Sequence, residues 1–322
     1  MFARYHYYLI FAEECNVTRA AERLFISHQN LSKYLSNLEE ELGVTLFQRK
    51  PTVSLTYEGK LLYETMRKVE VLEKNLKGQY ADLKEDKGGE IRLGTTEGRF
   101  RILMPDLMSE FKKEYPEVQL SIVSASSPDL QEMVLNNQLD LIIMGMPVKP
   151  SQFMHYQEVL REKLYLVVSD NMLKDCFGDR FPACKQELMK GADLRDFQAV
   201  PFALNMPSFN SHILIDRHLE KLGVSLHCVH TSSHPDLHHM MSVRDYAASF
   251  CLTMYMPALL KLNEENGNPL NVFPIKDFTQ TNPVVAGYLQ NRVLSRAAKA
   301  LLRKIRYQCG QFKKYDLPEV KE

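Results

Sequence analysis

Apolar residues near the start of the chain recur with a helical period. Leu31, Leu35, Leu38 and Leu42 stand at i, i+4, i+7 and i+11, which predicts a helix with one buried stripe. Ser27 stands where a cap for that helix belongs. Thr18 is placed to cap a shorter helix through Ala20, Ala21 and Leu24. The small side chains of Ala20 and Ala21 let two helices cross closely, and Tyr5, Tyr8, Leu9, Phe11 and Ala12 supply the apolar face of a first helix. Two capped helices joined by a tight turn imply a helix-turn-helix whose second helix enters a DNA major groove. With Leu31 inward, a rotation of about 100° per residue puts Gln29, Lys33 and Ser36 outward, with Asn30 and Ser32 beside them. That face holds amides, hydroxyls and one ammonium, groups that suit base edges and phosphates. The acids Glu39, Glu40 and Glu41 come only after it. Past the stop at Leu42-Gly43, the runs Val44–Phe47 and Val53–Leu55 read as two short strands. The turn Gln48-Arg49-Lys50-Pro51-Thr52 between them is a wing. Arg49 and Lys50 in isolation are ordinary solvated charges, but beside a helix-turn-helix they are placed for phosphate.

From Glu58 to Glu85 there is no proline, and past Gly59 at its start the one glycine is Gly78. Leu62, Val69, Leu76 and Leu83 recur every seven residues, and Met66, Leu72 and Tyr80 supply a second seam. This spacing predicts a two-stranded coiled coil, because a long helix with charged flanks needs a partner for its apolar stripe. A dimer would set two recognition helices on two half-sites. Asp86-Lys87-Gly88-Gly89 reads as a hinge.

Beyond the hinge, short apolar runs alternate with helical patterns, the mark of βαβ units and a parallel sheet. Strands Ile91–Gly94, Val118–Val123 and Leu139–Met144 alternate with helices Leu103–Glu114 and Asp129–Asn137. Lys163–Val168 is an extended run that crosses to a second lobe. There Ala199–Leu204, helix Ser211–Leu222, Leu226–Thr231 and helix Asp236–Val243 repeat the pattern. Val284–Leu289 and helix Leu294–Tyr307 return to the first lobe. Two such lobes with two crossovers enclose a cleft, and ligands bind outside the carboxyl ends of the strands. Those ends carry Thr95, Thr96, Ser124, Ser127, Gly145, Asn205, Ser208 and Thr231. One hydroxyl cluster is more often a helix cap. Five converging on one cleft favour a small anion, most simply a carboxylate.

At 322 residues two or three units are expected. Apolar residues make up 45% and net charge is zero, so any DNA affinity must come from local charge arrangement. Residues 1–63 are themselves balanced, with seven Lys/Arg against seven Asp/Glu. Six cysteines without a C-x-x-C pair suit a reduced, cytoplasmic protein. No signal-peptide core or bilayer-length apolar run appears, so no membrane role is expected. Catalytic fingerprints are absent too, and Cys251, in an apolar run, reads as core; no enzyme is expected. Half of the ten histidines fall between His227 and His239. His234 and His238 could sit one helical turn apart with Cys228 nearby, a donor set for zinc or copper. No second tight ligand pair accompanies them, so scattered surface and cleft histidines are the better reading, and no metal or cofactor is expected. A pH-sensitive cleft is the other use of histidine.

One resemblance covers about sixty residues continuously. The run from Phe11-Ala-Glu-Glu through Thr18-Arg-Ala-Ala-Glu-Arg-Leu-Phe-Ile-Ser to Leu38-Glu-Glu-Glu-Leu-Gly-Val-Thr-Leu-Phe-Gln-Arg and Leu55-Thr-Tyr-Glu-Gly is similar to the N-terminal domain of LysR-type transcriptional regulators. The resemblance implies DNA contacts at Ser27, Gln29, Ser32, Lys33 and Arg49, with Thr18 and Arg19 near the backbone. It departs at Ser27-His28-Gln29, where His28 displaces the usual glutamine. A second departure is Asp245–Met254, bulkier than the family's Gly-rich stretch. The implied architecture is an all-α winged helix-turn-helix domain (1–57), a linker helix and hinge (58–90) and an α/β effector domain (91–308), followed by a tail (309–322). The effector domain would have two Rossmann-like, periplasmic-binding-protein-like lobes, lobe I at about 91–162 and 269–308 and lobe II at about 163–268. The implied function is a promoter-binding regulator controlled by a small effector in the cleft. Its implied partners are double-stranded DNA, the effector and itself, as a homodimer and a dimer of dimers, and RNA polymerase is a further candidate. The competing readings are a solute-binding module without DNA function and a metal- or redox-responsive regulator of the same fold.

Overall fold

The computed structural model describes residues 3–48, 53–83, 89–265 and 267–318. The chain falls into two compact units, Met1–Glu85 together with Asn291–Ser295, and Asp86–Gln290 together with Arg296–Glu322.

The first unit holds α1 (Ala3–Glu14), α2 (Val17–Arg23), α3 (His28–Leu42), β1 (Phe47–Gln48), β2 (Ser54–Leu55) and α4 (Tyr57–Leu83). The cap of α2 is Asn16, not Thr18. Its amide oxygen accepts from Thr18 N–H at 3.0 Å and Arg19 N–H at 3.1 Å, so Thr18 is already helical. Asn16 is the better cap, since its short side chain reaches the second and third free amides of the helix. Ser27 caps α3 as expected, accepting from Asn30 N–H at 3.2 Å. Gly43 closes α3 with φ +67°, a conformation that costs glycine little. Tyr8, Phe11, Ala20, Ala21, Leu31, Leu35, Leu38 and Leu46 form the core, and Phe11 meets Phe47 edge-on. Glu39 is not a merely solvated acid, because its carboxylate accepts from Leu46 N–H at 2.6 Å and fastens the base of the wing to α3. The start of α4 seats against the same core. Leu62 and Tyr63 pack on it, and Tyr8 Oη donates to the Gly59 carbonyl at 2.7 Å.

The second unit begins with β3 (Gly89–Thr95), α5 (Glu97–Glu114), β4 (Val118–Ser124), α6 (Ser127–Leu135), β5 (Leu141–Gly145) and β6 (Met154–Glu162). It continues through β7 (Leu164–Ser169), α7 (Asp170–Phe177), α8 (Cys184–Leu188), β8 (Pro201–Asn205), α9 (Asn210–Leu222), β9 (His227–Ser232) and α10 (Pro235–Ser242). β10 (Ser249–Leu252), α11 (Met256–Glu265), β11 (Leu270–Pro274), β12 (Asn282–Leu289) and α12 (Arg296–Gln311) complete it. Lobe I is a five-stranded sheet in the order β4-β3-β5-β12-β6. Its first three strands run parallel, and β12 returns antiparallel between β5 and β6. Strand β5 is buried along its whole length, as its unbroken apolar run requires.

Lobe II departs from a purely parallel sheet. β7 is flanked by β10 and β11, both antiparallel to it, while β8 and β9 form a parallel pair. Because β11 pairs with β7, lobe II extends through Pro274, past the expected boundary near residue 268. The tail also differs from expectation. α12 runs to Gln311 with Cys309 buried, and Asp316 accepts from Tyr165 Oη at 3.1 Å and Thr253 Oγ1 at 2.6 Å. Helix period alone could not extend α12, because its last buried contact is a cysteine.

A Cβ added at Gly59 would lie 2.0 Å from the Leu46 carbonyl oxygen. Gly59→Ala is therefore expected to destabilise the N-terminal unit by about 1–3 kcal/mol, the scale of a forced backbone shift. A thermal melt followed by circular dichroism reads this, and an unchanged transition would show that the wing backbone yields freely.

Candidate DNA interface and effector cleft

On α3 the buried stripe is Leu31, Leu35 and Leu38. His28, Gln29, Lys33 and Ser36 are exposed on the remaining surface, and Ser32 is half-buried. Ser27 is exposed with its hydroxyl already serving the cap. Thr18 and Arg19 are exposed on α2, and Arg19 lies 3.3 Å from Glu14. Arg49 and Lys50 lie outside the described residues. The order of events along α3 is favourable for an anionic duplex: a cap, then hydroxyls, amides and an ammonium, then acids at the far end.

The exposed apolar positions of α4 include Leu61, Leu72, Leu76 and Tyr80. Of the heptad leucines and valine, Leu76 is the exposed one among the described side chains. Leu62 faces the core of its own domain, Val69 is half-buried, and the Leu83 side chain lies outside the described residues. Leu61, missed by the heptad count, is the exposed leucine of the adjacent pair. The sequence alone could not choose between them, because the first turns of α4 serve the domain core while the later ones do not.

In the second unit, Thr95 ends β3 fully buried, and its Oγ1 has no hydrogen-bond partner among the described residues. Thr96 Oγ1 accepts from Arg99 Nη1 at 3.2 Å. Glu97 opens α5 and accepts from Arg101 at 3.1 Å and Ser124 Oγ at 3.0 Å. Those two bonds hold its carboxyl below the usual range. Arg101 also reaches Asp236 on α10 at 3.0 Å, an ion pair across the cleft. Gly98 faces Tyr255 so closely that a Cβ would lie 2.0 Å from the phenol oxygen. Behind this turn Arg99 is buried and paired with Glu162 at 2.8 Å. Burial opposes the Arg99 charge, but Glu162 outweighs it, and the guanidinium pKa lies above its ordinary value. Glu162 also accepts from Asn282 Nδ2 at 2.8 Å and from Met254 N–H at 3.4 Å.

The other expected cleft residues divide. Ser126 caps α6, leaving Ser127 half-buried at its first position. Gly145 is buried where a Cβ would lie 2.9 Å from Asn210 of lobe II, and Asn210 donates to the Met146 carbonyl at 2.8 Å. Asn205 donates to Ser211 Oγ at 2.6 Å, and its Oδ1 has no partner among the described residues. It borders a cavity of about 10 Å³, also lined by His212, His238 and Phe250. Ser208 and Thr231 are exposed and join none of these contacts. The signal that was missed is charge: Glu97, Arg101 and Asp236 sit one turn beyond the hydroxyl clusters.

Among the described residues, no three His, Cys, Asp or Glu side chains are grouped to hold a metal ion. His234 is exposed beside Ser233, while His238 and His239 are buried. His238 Nε2 meets Ser232 Oγ at 2.9 Å, and His239 Nε2 meets the Phe250 carbonyl at 3.4 Å. No helix among the described residues is long and apolar enough to cross a membrane.

A helix-turn-helix unit together with a two-lobed ligand-binding unit defines a ligand-responsive DNA-binding protein. Residues 2–60 match the model of the bacterial regulatory helix-turn-helix protein, lysR family, and residues 84–310 match the LysR substrate binding domain. The chain belongs to the LysR family and is a DNA-binding transcriptional regulator with an inter-lobe effector domain. The HTH-type transcriptional regulator YtlI of Bacillus subtilis (strain 168) is 25% identical over 291 residues, 89% of this chain and 87% of that protein. Among solved structures, the LysR family regulator HinK of Pseudomonas aeruginosa aligns over 97% of this chain and 99% of its own, with TM-score 0.56 and 18% identity. The effector-binding domain of QuiR in complex with shikimate covers 70% of this chain and 98% of its own, with TM-score 0.54 and 17% identity. These two structures share the fold.

Burial pushes the imidazole pKa of both His238 and His239 down to about 4. The unfolded chain therefore binds more protons between pH 4 and 6.5. The stability these neutral rings contribute is complete above about pH 6.5 and falls as pH drops toward 4. Thermal melts across that range should show this loss, with a shallower slope in His238→Gln; an equal slope would remove His238 from the account.

Proposed function

We propose that α3 reads DNA through Gln29, Lys33 and Ser36, with His28 and Ser32 at its entry, and that α2 supports it through Thr18 and Arg19. The observation that carries this is the acid-free exposed face over the first turns of α3. It lies opposite a stripe with essentially no exposure, so the helix can present it in one rotation only. Ser27, Arg49 and Lys50 join as phosphate contacts on the strength of their sequence positions. The exposed Leu61, Leu72, Leu76 and Tyr80 fit pairing of α4 with a second copy, and two copies supply the two half-site contacts that a neutral domain needs. Assembly into a dimer of dimers and contact with RNA polymerase extend the same reading.

Operator fragments selected from a random duplex pool test the interface. Lys33→Ala should weaken binding to all sequences and lower the salt slope by about one ion. Gln29→Ala should cost about 1–3 kcal/mol at a single base position, the worth of one bidentate base contact. Unchanged binding in both variants would displace α3 as the reading helix.

For the effector we propose a small carboxylate that takes the place of Asp236 on Arg101, with Thr96 and Ser124 as hydroxyl contacts. The α5 N-terminus is countered by Glu97, so the anion is held by Arg101 rather than by free helix amides. The shikimate-bound QuiR domain, of the same fold, supports a small hydroxylated acid. Thr95, Gly145 and Asn205 would shape the inner wall. A thermal-shift panel of small hydroxy acids, aromatic acids and amino acids tests this. A binding acid should raise the melting temperature by several degrees, since saturation at about 100 times Kd stabilises by about 2.7 kcal/mol. Arg101→Ala should abolish the rise. A rise that survives in Arg101→Ala, or is matched by the corresponding neutral amides, would overturn the carboxylate reading.

A further inference from the structure

Glu162 is fully buried and ends β6, at the start of the first crossover between the lobes. Its partners come from three directions. Arg99 lies in the first turn of α5 in lobe I, and Asn282 opens β12 where the second crossover re-enters lobe I. Met254 belongs to the short turn Thr253–Tyr255 of lobe II. One carboxylate thus gathers 2.8 Å bonds from Arg99 and Asn282 and a longer one from the Met254 amide. Arg99 extends the chain outward, because its other terminal nitrogen donates to Thr96 Oγ1.

A buried ion pair is a poor source of stability. Desolvation cancels most of the attraction, and apolar replacements of similar volume are often neutral. Directional bonds to a buried charge do exclude other geometries, because each alternative leaves a charged or polar group unmet. Rotation of lobe II against lobe I moves Met254 and both crossovers relative to Glu162, so the pair stands where such a restriction acts on the lobe angle.

We propose that Arg99 and Glu162 are positioning residues that set the angle between the lobes and couple it to the Thr96 end of the cleft. A ligand group that takes the Thr96 hydroxyl from Arg99 changes the hold of the guanidinium on Glu162. Only this ligand sense rests on the effector reading above; the link from Thr96 to the hinge stands without it.

The test needs no effector. Full-length protein carries site-specific spin labels at exposed Glu132 of lobe I and exposed Glu220 of lobe II, introduced as non-natural amino acids so that the native cysteines stay. Pulsed dipolar spectroscopy gives the inter-lobe distance distribution. Arg99→Met with Glu162→Met should keep a melting temperature within a few degrees of wild type while lowering the ratio of the dominant to the minor population about ten-fold, the scale of one charge-assisted bond. Glu162→Gln, nearly isosteric, should move the distribution the same way and decides the matter if the double variant fails to fold. Thr96→Val should shift the distribution in the wild-type background and add nothing in the double variant. A wild-type distribution in folded Glu162 variants would overturn the hinge role, and an equal Thr96→Val shift in both backgrounds would overturn the coupling. Neither result depends on whether Arg101 binds an acid.

Discussion

A carboxylate shut away from water can keep its charge only if its oxygens are met by donors, and this condition at Glu162 organises the effector domain. Arg99, Asn282 and the Met254 amide come from α5, the returning strand and lobe II. The two crossovers would otherwise be free to set their own course. Instead both ends of the hinge are tied to one group, and the turn carrying Thr96 is tied to it through Arg99. Gly98 allows that turn to press against Tyr255 with no side chain between. The floor of the cleft thus carries a buried, hydrogen-bonded charge, and the exposed Arg101–Asp236 pair links the two lobes at its mouth. Exposed pairs are weak, so a ligand can exchange into the mouth at small cost, while a change at the floor must disturb a buried charge.

The DNA-binding unit follows a different economy of charge. Its neutrality is achieved by segregation. The acids of α3 come after the proposed reading surface, and Glu39 is spent inside the structure on the Leu46 amide. Glu13 and Glu14 are engaged by Arg23, and Glu14 also by Arg19. A count over the domain treats all these carboxylates alike, although several already have partners on the protein and one of them fastens the wing.

Much of this was legible in the residues. The Leu31, Leu35 and Leu38 stripe, the Ser27 cap and the alternation of strands with helices each rest on local period and local hydrogen bonding, which neighbours in sequence supply. The misses share one cause. Asn16 and Thr18 compete for one cap, and Leu61 and Leu62 for one exposed position on α4. Residues one or two positions apart with similar chemistry are separated only by the direction in which the backbone turns them. Ser208 and Thr231 satisfy the strand-end rule and are exposed.

The sequence by itself determined that a helix-turn-helix precedes a long helix and a two-lobed α/β domain, because period, caps and apolar runs are properties of short stretches. Its opening motif, from Asn16 to Leu38, needed no partner from elsewhere in the chain to be read. Tertiary structure alone decided that Arg99 meets Glu162 across 63 positions, that Arg101 meets Asp236 across 135, and that β11 joins the second lobe. Such pairings depend on where folded elements place distant side chains, and local pattern holds no record of that distance.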